Sequence, residues 1–258
     1  MIMETTELLI SLAKKYEGVD FIASDPISFA HRYKEIKDIE IAAFMAQWVA
    51  YGKRELFLKV LDNISKDFNT SPYSFIASKT YNKYKYDNDC LYRFYKGNDF
   101  YLLCEGLYNI YINIGKEKLT MQDVLKNKIG ESTNDAIKLI STIESLFPNI
   151  SGIPQDTKSA CKRLCMFLRW MVRKNSIVDF GIWNIISPKN LIIPLDTHVF
   201  QQSKNFQLTM RKTADMKTAM EITDNLKKIF PNDPTKFDFA LFGYGVNNSK
   251  KKEFDKNI

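Results

Sequence analysis

Asp196 stands in the run Ile193-Pro194-Leu195-Asp196-Thr197-His198-Val199, directly after an apolar stretch and directly before a new amphipathic segment. A carboxylate at such a junction is held by packed chain yet can face a cleft, which suits it to stabilise a developing positive charge. A lysine- and arginine-striped helix, Ser159 to Arg173, precedes it. On that helix Ala160, Leu164, Phe167, Leu168 and Met171 share an apolar face. Lys162, Arg169 and Arg173 share another, the two arginines falling within about 20° of the direction of Lys162 at ~100° per residue. Lys158 extends this row if the helix begins one turn earlier. Such a row either solvates a helix face or lies along a phosphate backbone with one lysine turned inward as a nucleophile. A nucleophile and an acid in one half of the chain suit sugar chemistry on DNA.

Each feature also has a plainer reading. Asp followed by Thr is a common helix N-cap, so the Asp196 carboxylate has a structural use at a helix beginning near Thr197. His31 and His198 are the only histidines, too few for a histidine metal site, and a hydrogen-bonded structural role fits His198 better. The cysteines are Cys90, Cys104, Cys161 and Cys165; the last two are four apart and would stack on one helix face. No CxxC pair completes a zinc or iron–sulfur set, and reduced core thiols in a reducing cytosol are expected.

The elements that must position these residues are helical. Few runs alternate or carry continuous β-branched residues, so an all-α fold is expected. Asp38 to Tyr51 repeats apolar residues at helical spacing and ends at Gly52; Glu55 to Ile64 resumes the pattern. Ser71 to Tyr95, crowded with tyrosine, lysine and asparagine, reads as short helices and loops. Asp99 to Tyr111, Asn134 to Leu146 and Thr213 to Phe230 read as helices. Asp233-Pro234 is an N-cap and first-turn signal opening a last helix that Gly243 and Gly245 close, with a polar, fraying tail from Asn247 to Ile258. The 258 residues suffice for one compact unit, and 37 Lys plus Arg against 30 Asp plus Glu give a charge of +7 that fits a polyanionic partner. The first residues lack the pattern of a signal peptide, and no apolar run approaches the roughly 20 residues of a membrane span. A cytoplasmic protein with no membrane association is expected.

The Asp196 segment resembles the Val-Asp-Thr-His segment of the helix-hairpin-helix DNA glycosylases, the endonuclease III superfamily, in which the aspartate is catalytic. The wider match runs through Ser159 to Arg173, Asp179-Phe180-Gly181-Ile182-Trp183, the Asp196 segment and Lys236 to Gly243, with Asp25 to Phe29 and Asp38 to Phe44 upstream. These residues closely resemble a bacterial family labelled DUF2400. The superfamily resemblance implies two helical lobes with an active-site cleft between them, lobe A being 1–38 plus 194–258 and lobe B 39–193. It implies that Lys162 is the catalytic lysine at the start of the helix after the hairpin. The interval from Lys162 to Asp196, 196 minus 162 or 34 residues, is longer than in endonuclease III and closer to the archaeal 8-oxoguanine glycosylases.

The chain departs from the superfamily pattern in two places. The hairpin there usually reads Leu-Pro-Gly-Val-Gly-x-Lys, whereas Ser151 to Lys158 holds the single glycine Gly152. The C-terminal four-cysteine cluster is missing, so no iron–sulfur cluster, and no cofactor or metal, is expected.

The chemistry implied is excision of a damaged or modified base. Asp196 would stabilise an oxocarbenium-like transition state, and the Lys162 amine would attack the anomeric carbon to form a Schiff base, with strand nicking by β-elimination. Only an unprotonated amine attacks, and Arg163, Arg169 and Arg173 are the cations placed either to favour that state or to bind phosphates with Lys158. A monofunctional glycosylase using Asp196-directed water, or a helical nucleic-acid-binding protein without the chemistry, would use the same residues differently. Reaching a paired sugar requires extruding the nucleotide from double-stranded DNA. Gln47, in Ala46-Gln47-Trp48, resembles the glutamine that endonuclease III places in the gap. Trp48, Tyr51, Trp170, Trp183, Phe239 and Tyr244 serve either as stacking groups or as core. A monomer acting on DNA is expected.

Overall fold

The computed structural model describes residues 2–69 and 71–254, with side chains at 4–69 and 71–247. Helices α1 (Ile2–Tyr16), α2 (Val19–Ser24), α3 (Ile27–Ala30), α4 (Ile36–Val49), α5 (Arg54–Ser65) and α6 (Pro72–Ala77) come first. A small antiparallel hairpin follows, β1 (Cys90–Tyr92) and β2 (Tyr95–Lys96). Then come α7 (Gly97–Tyr108), α8 (Met121–Ile129), α9 (Ala136–Leu146), α10 (Lys162–Val172), α11 (Thr197–Asn205), α12 (Met216–Ile229) and α13 (Phe237–Phe254). The fold is mostly helical, as the periodicity predicts.

Several helices start where a side chain satisfies the exposed N–H groups of the first turn. Ser71 caps α6 with Pro72 behind it, and Thr120 and Asp123 form a reciprocal capping box on α8. Asp135, Asp196 and Asp215 each accept from the N–H three residues on and so open α9, α11 and α12.

The chain divides into two compact units. One comprises Met1–Phe21, Thr157–Gly181 and Ile186–Ile258, and the other Ile22–Asp156 and Ile182–Ile185. Residues 22–38 therefore group with the middle of the chain, and 157–181 with its ends.

In the terminal unit α13 packs on α1 and α11. Its glycines do not end it, contrary to the reading of Gly243 and Gly245 as stops: the helix runs on to Phe254. They are instead points of close approach, since a β-carbon on Gly243 would run into the Tyr16 ring and one on Gly245 would lie 3.0 Å from His198 Cβ. The backbone of the expected fraying tail is thus helical to Phe254, and residues 255–258 lie outside the described residues. Asp233-Pro234 does open a helical segment: Asp233 stands at the N-cap of a short 3-10 turn, Pro234–Lys236, that leads into α13, although its side chain makes no capping hydrogen bond.

In the middle unit the organising residue is Glu40 on α4, which is fully buried. Its carboxylate accepts from Tyr111 Oη at 2.8 Å, Met121 N at 2.9 Å, Gln122 N at 3.4 Å and Trp183 Nε1 at 2.6 Å. One side chain thereby ties α4 to the turn after α7, to the start of α8 and to the 182–185 segment. Burial pushes its carboxyl up to about 7, against the opposing pull of these donors. Trp48, also on α4, donates to Ser151 O at 2.7 Å and stacks on Tyr95 with ring centres 4.1 Å apart. Gly152 follows in a left-handed conformation (φ 80°), and a β-carbon there would collide with the Tyr95 hydroxyl. The single glycine of the 151–158 stretch is thus required by contact with Tyr95.

Candidate active site

Lys162 and Asp196 meet within the terminal unit: Lys162 Nζ lies 3.6 Å from Asp196 Oδ2. The acid's two oxygens divide the work. Oδ1 accepts from Val199 N at 2.8 Å and caps α11, while Oδ2 faces the lysine. The plain reading of Asp196 as a cap and the chemical reading therefore hold together, one on each oxygen. The Asp196 side chain is 13% exposed and that of Lys162 34%, so the pair is sheltered but reachable.

Both residues are positioned from α12. The chain entering α10 runs alongside the start of α12, where Ser159 bridges Asp215 and Lys158 O accepts from Met216 N at 3.3 Å. Cys161 then turns through a left-handed conformation (φ 43°) into Lys162, the first residue of α10. On the other side, Ile193 N donates to Thr223 Oγ1 at 3.0 Å, and that hydroxyl donates to Ala219 O at 2.7 Å. The buried run Leu191 to Leu195 is thus fixed to α12 just before Asp196. Asp215 itself caps α12, and its carboxyl is held below the usual carboxylate range by the Thr218 N–H, the Thr213 hydroxyl and Arg211.

The rest of the cationic row is corrected by the structure. Arg169 and Arg173, expected to contact phosphates, are 2% and 1% exposed. Arg169 Nε pairs with Asp179 at 3.2 Å and its Nη1 with Asp238. Arg173 pairs with Asp179 at 2.5 Å, Glu17 at 2.7 Å and Asp233 at 2.8 Å, and both guanidiniums lie over the Phe239 ring. Guanidiniums committed to carboxylates and removed from solvent offer no face to a phosphate, and their charge is already balanced before it reaches Lys162. Burial pushes the Asp179 carboxyl up, against the pull of the two guanidiniums. Burial also works against the Arg173 charge, but Asp179, Asp233 and Glu17 outweigh it and hold the guanidinium above its usual range.

Lys158 is exposed but stands in the turn before α10, so it does not continue a helical row; Arg163 is half-buried on the first turn of α10. Gln47 lies in the other unit, 1% exposed on α4, and its Nε2 has no hydrogen-bond partner. A buried side chain is not poised to fill a gap in a duplex, so that role is not supported for Gln47. Among the aromatic residues, Trp48, Trp170, Trp183 and Phe239 are core. Tyr51 packs on Tyr92 and Tyr95, and Tyr244 on Phe206. His198 lies edge-on to Phe242 at 5.9 Å.

Sequence reasoning missed the acids that neutralise the arginines, because Glu17, Asp179, Asp233 and Asp238 are scattered along the chain. It missed Glu40 as well, whose only sequence signal is an acid among Ile39, Ile41, Ala42 and Ala43 on an otherwise apolar helix. Cys104, Cys161 and Cys165 are buried, as expected of core cysteines, whereas Cys90 is exposed on the hairpin. Among the described residues no group of three or more His, Cys, Asp or Glu is placed to hold a metal ion, and no helix is long and apolar enough to cross a membrane.

No curated protein and no solved structure matches the chain. A family model described as a protein of unknown function, DUF2400, matches residues 25–247, and the chain belongs to that family.

Proposed function

We propose that the chain is a DNA glycosylase with lyase activity that excises a damaged or modified base through Lys162 and Asp196. The observation that carries this reading is the 3.6 Å approach of Lys162 Nζ to an Asp196 oxygen left free of the helix cap. The mostly helical fold and the positive net charge suit the glycosylase-like architecture and DNA partner implied by the resemblance.

In this mechanism the proton that the Lys162 ammonium must lose before attack passes by way of Asp196 Oδ2 to solvent, which leaves Asp196 a carboxylate again. The amine then bonds to the anomeric carbon while the bond to the base breaks, its electrons leaving with the base. Asp196 stabilises the positive charge that gathers on the sugar between these events. Opening of the sugar ring leaves the lysine joined as a Schiff base, and β-elimination of the 3′ phosphate nicks the strand. Asp196 is anchored for this work by the Val199 N–H, so its free oxygen does not have to be ordered at the moment of reaction.

Borohydride reduction in the presence of lesion-containing duplexes tests the assignment. Covalent trapping of the wild-type chain and its loss in Lys162→Ala are expected. Trapping that persists in Lys162→Ala rejects Lys162 as the nucleophile. Base release with neither trapping nor nicking assigns the attack to a water directed by Asp196, and salt-dependent binding with no base released from any substrate leaves a binding protein only.

A further inference from the structure

The stretch Lys79-Thr80-Tyr81-Asn82-Lys83-Tyr84-Lys85-Tyr86 interleaves lysine with tyrosine and carries no acid. It lies in the middle unit, where residues 80–84 form a 3-10 turn packed on α7. Two of its tyrosines are anchors: Tyr81 Oη donates to Glu105 at 2.5 Å, and Tyr84 Oη to Asp67 at 2.5 Å. Lys79 and Lys83 pair with the same two carboxylates, at 3.3 and 2.5 Å. The end of the stretch is different. The Lys85 ammonium pairs with no carboxylate among the described residues; it lies 5.1 Å from the Tyr86 ring centre and 5.9 Å from that of Tyr101 on α7. Tyr101 is half-buried, and Tyr86 is 78% exposed.

Tyr86 is not left outside by a slack loop. Its backbone is left-handed (φ 63°), an uncommon conformation for so bulky a residue. Its N–H donates to Asn98 Oδ1 at 3.1 Å, while Asn98 N donates to Asp87 O at 2.8 Å and Gly97 N to Asp89 O at 3.1 Å. Gly97 leaves the room this requires, since a β-carbon there would run into the Asp87 carboxylate. The loop is thus bonded to the start of α7, and it holds a ring out in water with a cation beside it. Backbone strain kept at an exposed residue, where it buries nothing, points to a use outside the fold.

We propose that Tyr86, Lys85 and Tyr101 form a binding site for single-stranded nucleic acid. One base stacks on the open face of Tyr86, a neighbouring base reaches Tyr101, and Lys85 meets the phosphate that links them. The faces of bases inside a duplex are already stacked, so these rings select unpaired bases. Asp89, exposed in the same loop, opposes a phosphate there, so stacking rather than net charge carries the affinity. A protein-docking hot spot is surrounded by contacts that exclude water, which a ring this exposed lacks. The inference does not rest on the chemistry of Lys162 and Asp196.

The test uses the full chain and a fluorescein-labelled oligothymidylate of about 15 nucleotides, with an undamaged duplex of the same length as comparison. Wild type is expected to bind the single strand. Tyr86→Ala is expected to bind it about tenfold more weakly with duplex affinity unchanged, while Tyr86→Trp keeps wild-type binding. Lys85→Ala is expected to lower the slope of log affinity against log salt by about 0.7, the share of one phosphate on a single strand. Because Tyr86 is so exposed, its removal leaves no cavity, and the melting temperature of Tyr86→Ala should match wild type. A wild type that does not bind the single strand overturns the site, as does equal binding by wild type and Tyr86→Ala. An equal loss on single strand and duplex also overturns it, since stacking on an unpaired base cannot account for weaker binding to a closed duplex.

Discussion

Asp196→Ser separates the two uses of one carboxylate. Serine and aspartate cap helices about equally well, so the bond now made by Oδ1 to Val199 N at 2.8 Å has a replacement in the serine hydroxyl. What serine lacks is the second oxygen, 3.6 Å from Lys162 Nζ. That ion pair involves a lysine side chain 34% exposed and is discounted for solvent screening, so its loss costs well under ~1 kcal/mol of stability. Asp196→Ala loses the cap as well and should cost about 1 kcal/mol more. For catalysis the order is different. Removing a group aimed at transition-state charge costs about 2.7 to 4 kcal/mol, or roughly 10²- to 10³-fold in rate, and the serine and alanine variants should suffer alike. Urea unfolding followed by intrinsic fluorescence gives the stabilities, and single-turnover base release on a lesion-bearing duplex gives the rates. A serine variant that releases base within about threefold of wild type would refute the reasoning, since the carboxylate would then be a cap and nothing more.

Two further predictions concern the buried charges. Glu40, with its carboxyl raised from 4.5 to about 7, binds its proton more tightly in the folded chain than in the unfolded one. The resulting stability is fully present below pH 4.5 and is lost as pH rises through 7, a change of 2.5 units or about 3 kcal/mol. The cost of Glu40→Gln, measured by urea unfolding, should therefore shrink by about that amount between pH 4.5 and 8.5; a cost constant across this range would refute the assignment. Asp179→Ala leaves Arg169 and Arg173 buried without their shared counter-ion and should destabilise by about 3 to 5 kcal/mol, read as a lowered denaturation midpoint. If instead these arginines bound DNA, Asp179→Ala would tighten DNA binding at little cost in stability.

Much of the local structure was legible because it depends on neighbours in the chain. Helical periodicity located α4, α9 and α12, and the Asp-Thr pair at 196–197 marked the start of α11 by the chemistry of capping. The hairpin escaped notice because strands of three and two residues are too short to show alternation. Spacing also grouped Lys162, Arg169 and Arg173 on one side of a helix, but periodicity states which residues share a face and not what that face meets. The partners of the two arginines come from positions 17, 179, 233 and 238, and only the folding of the terminal unit brings them together. The same limit applied to Gly243 and Gly245, which read as helix stops in one dimension and act as contact points in three. The sequence by itself therefore determined the family, the helices and the identity of the lysine and acid worth testing. Tertiary structure decided which cations keep their charge available, because the field of a cation depends on counter-ions that folding draws from distant parts of the chain.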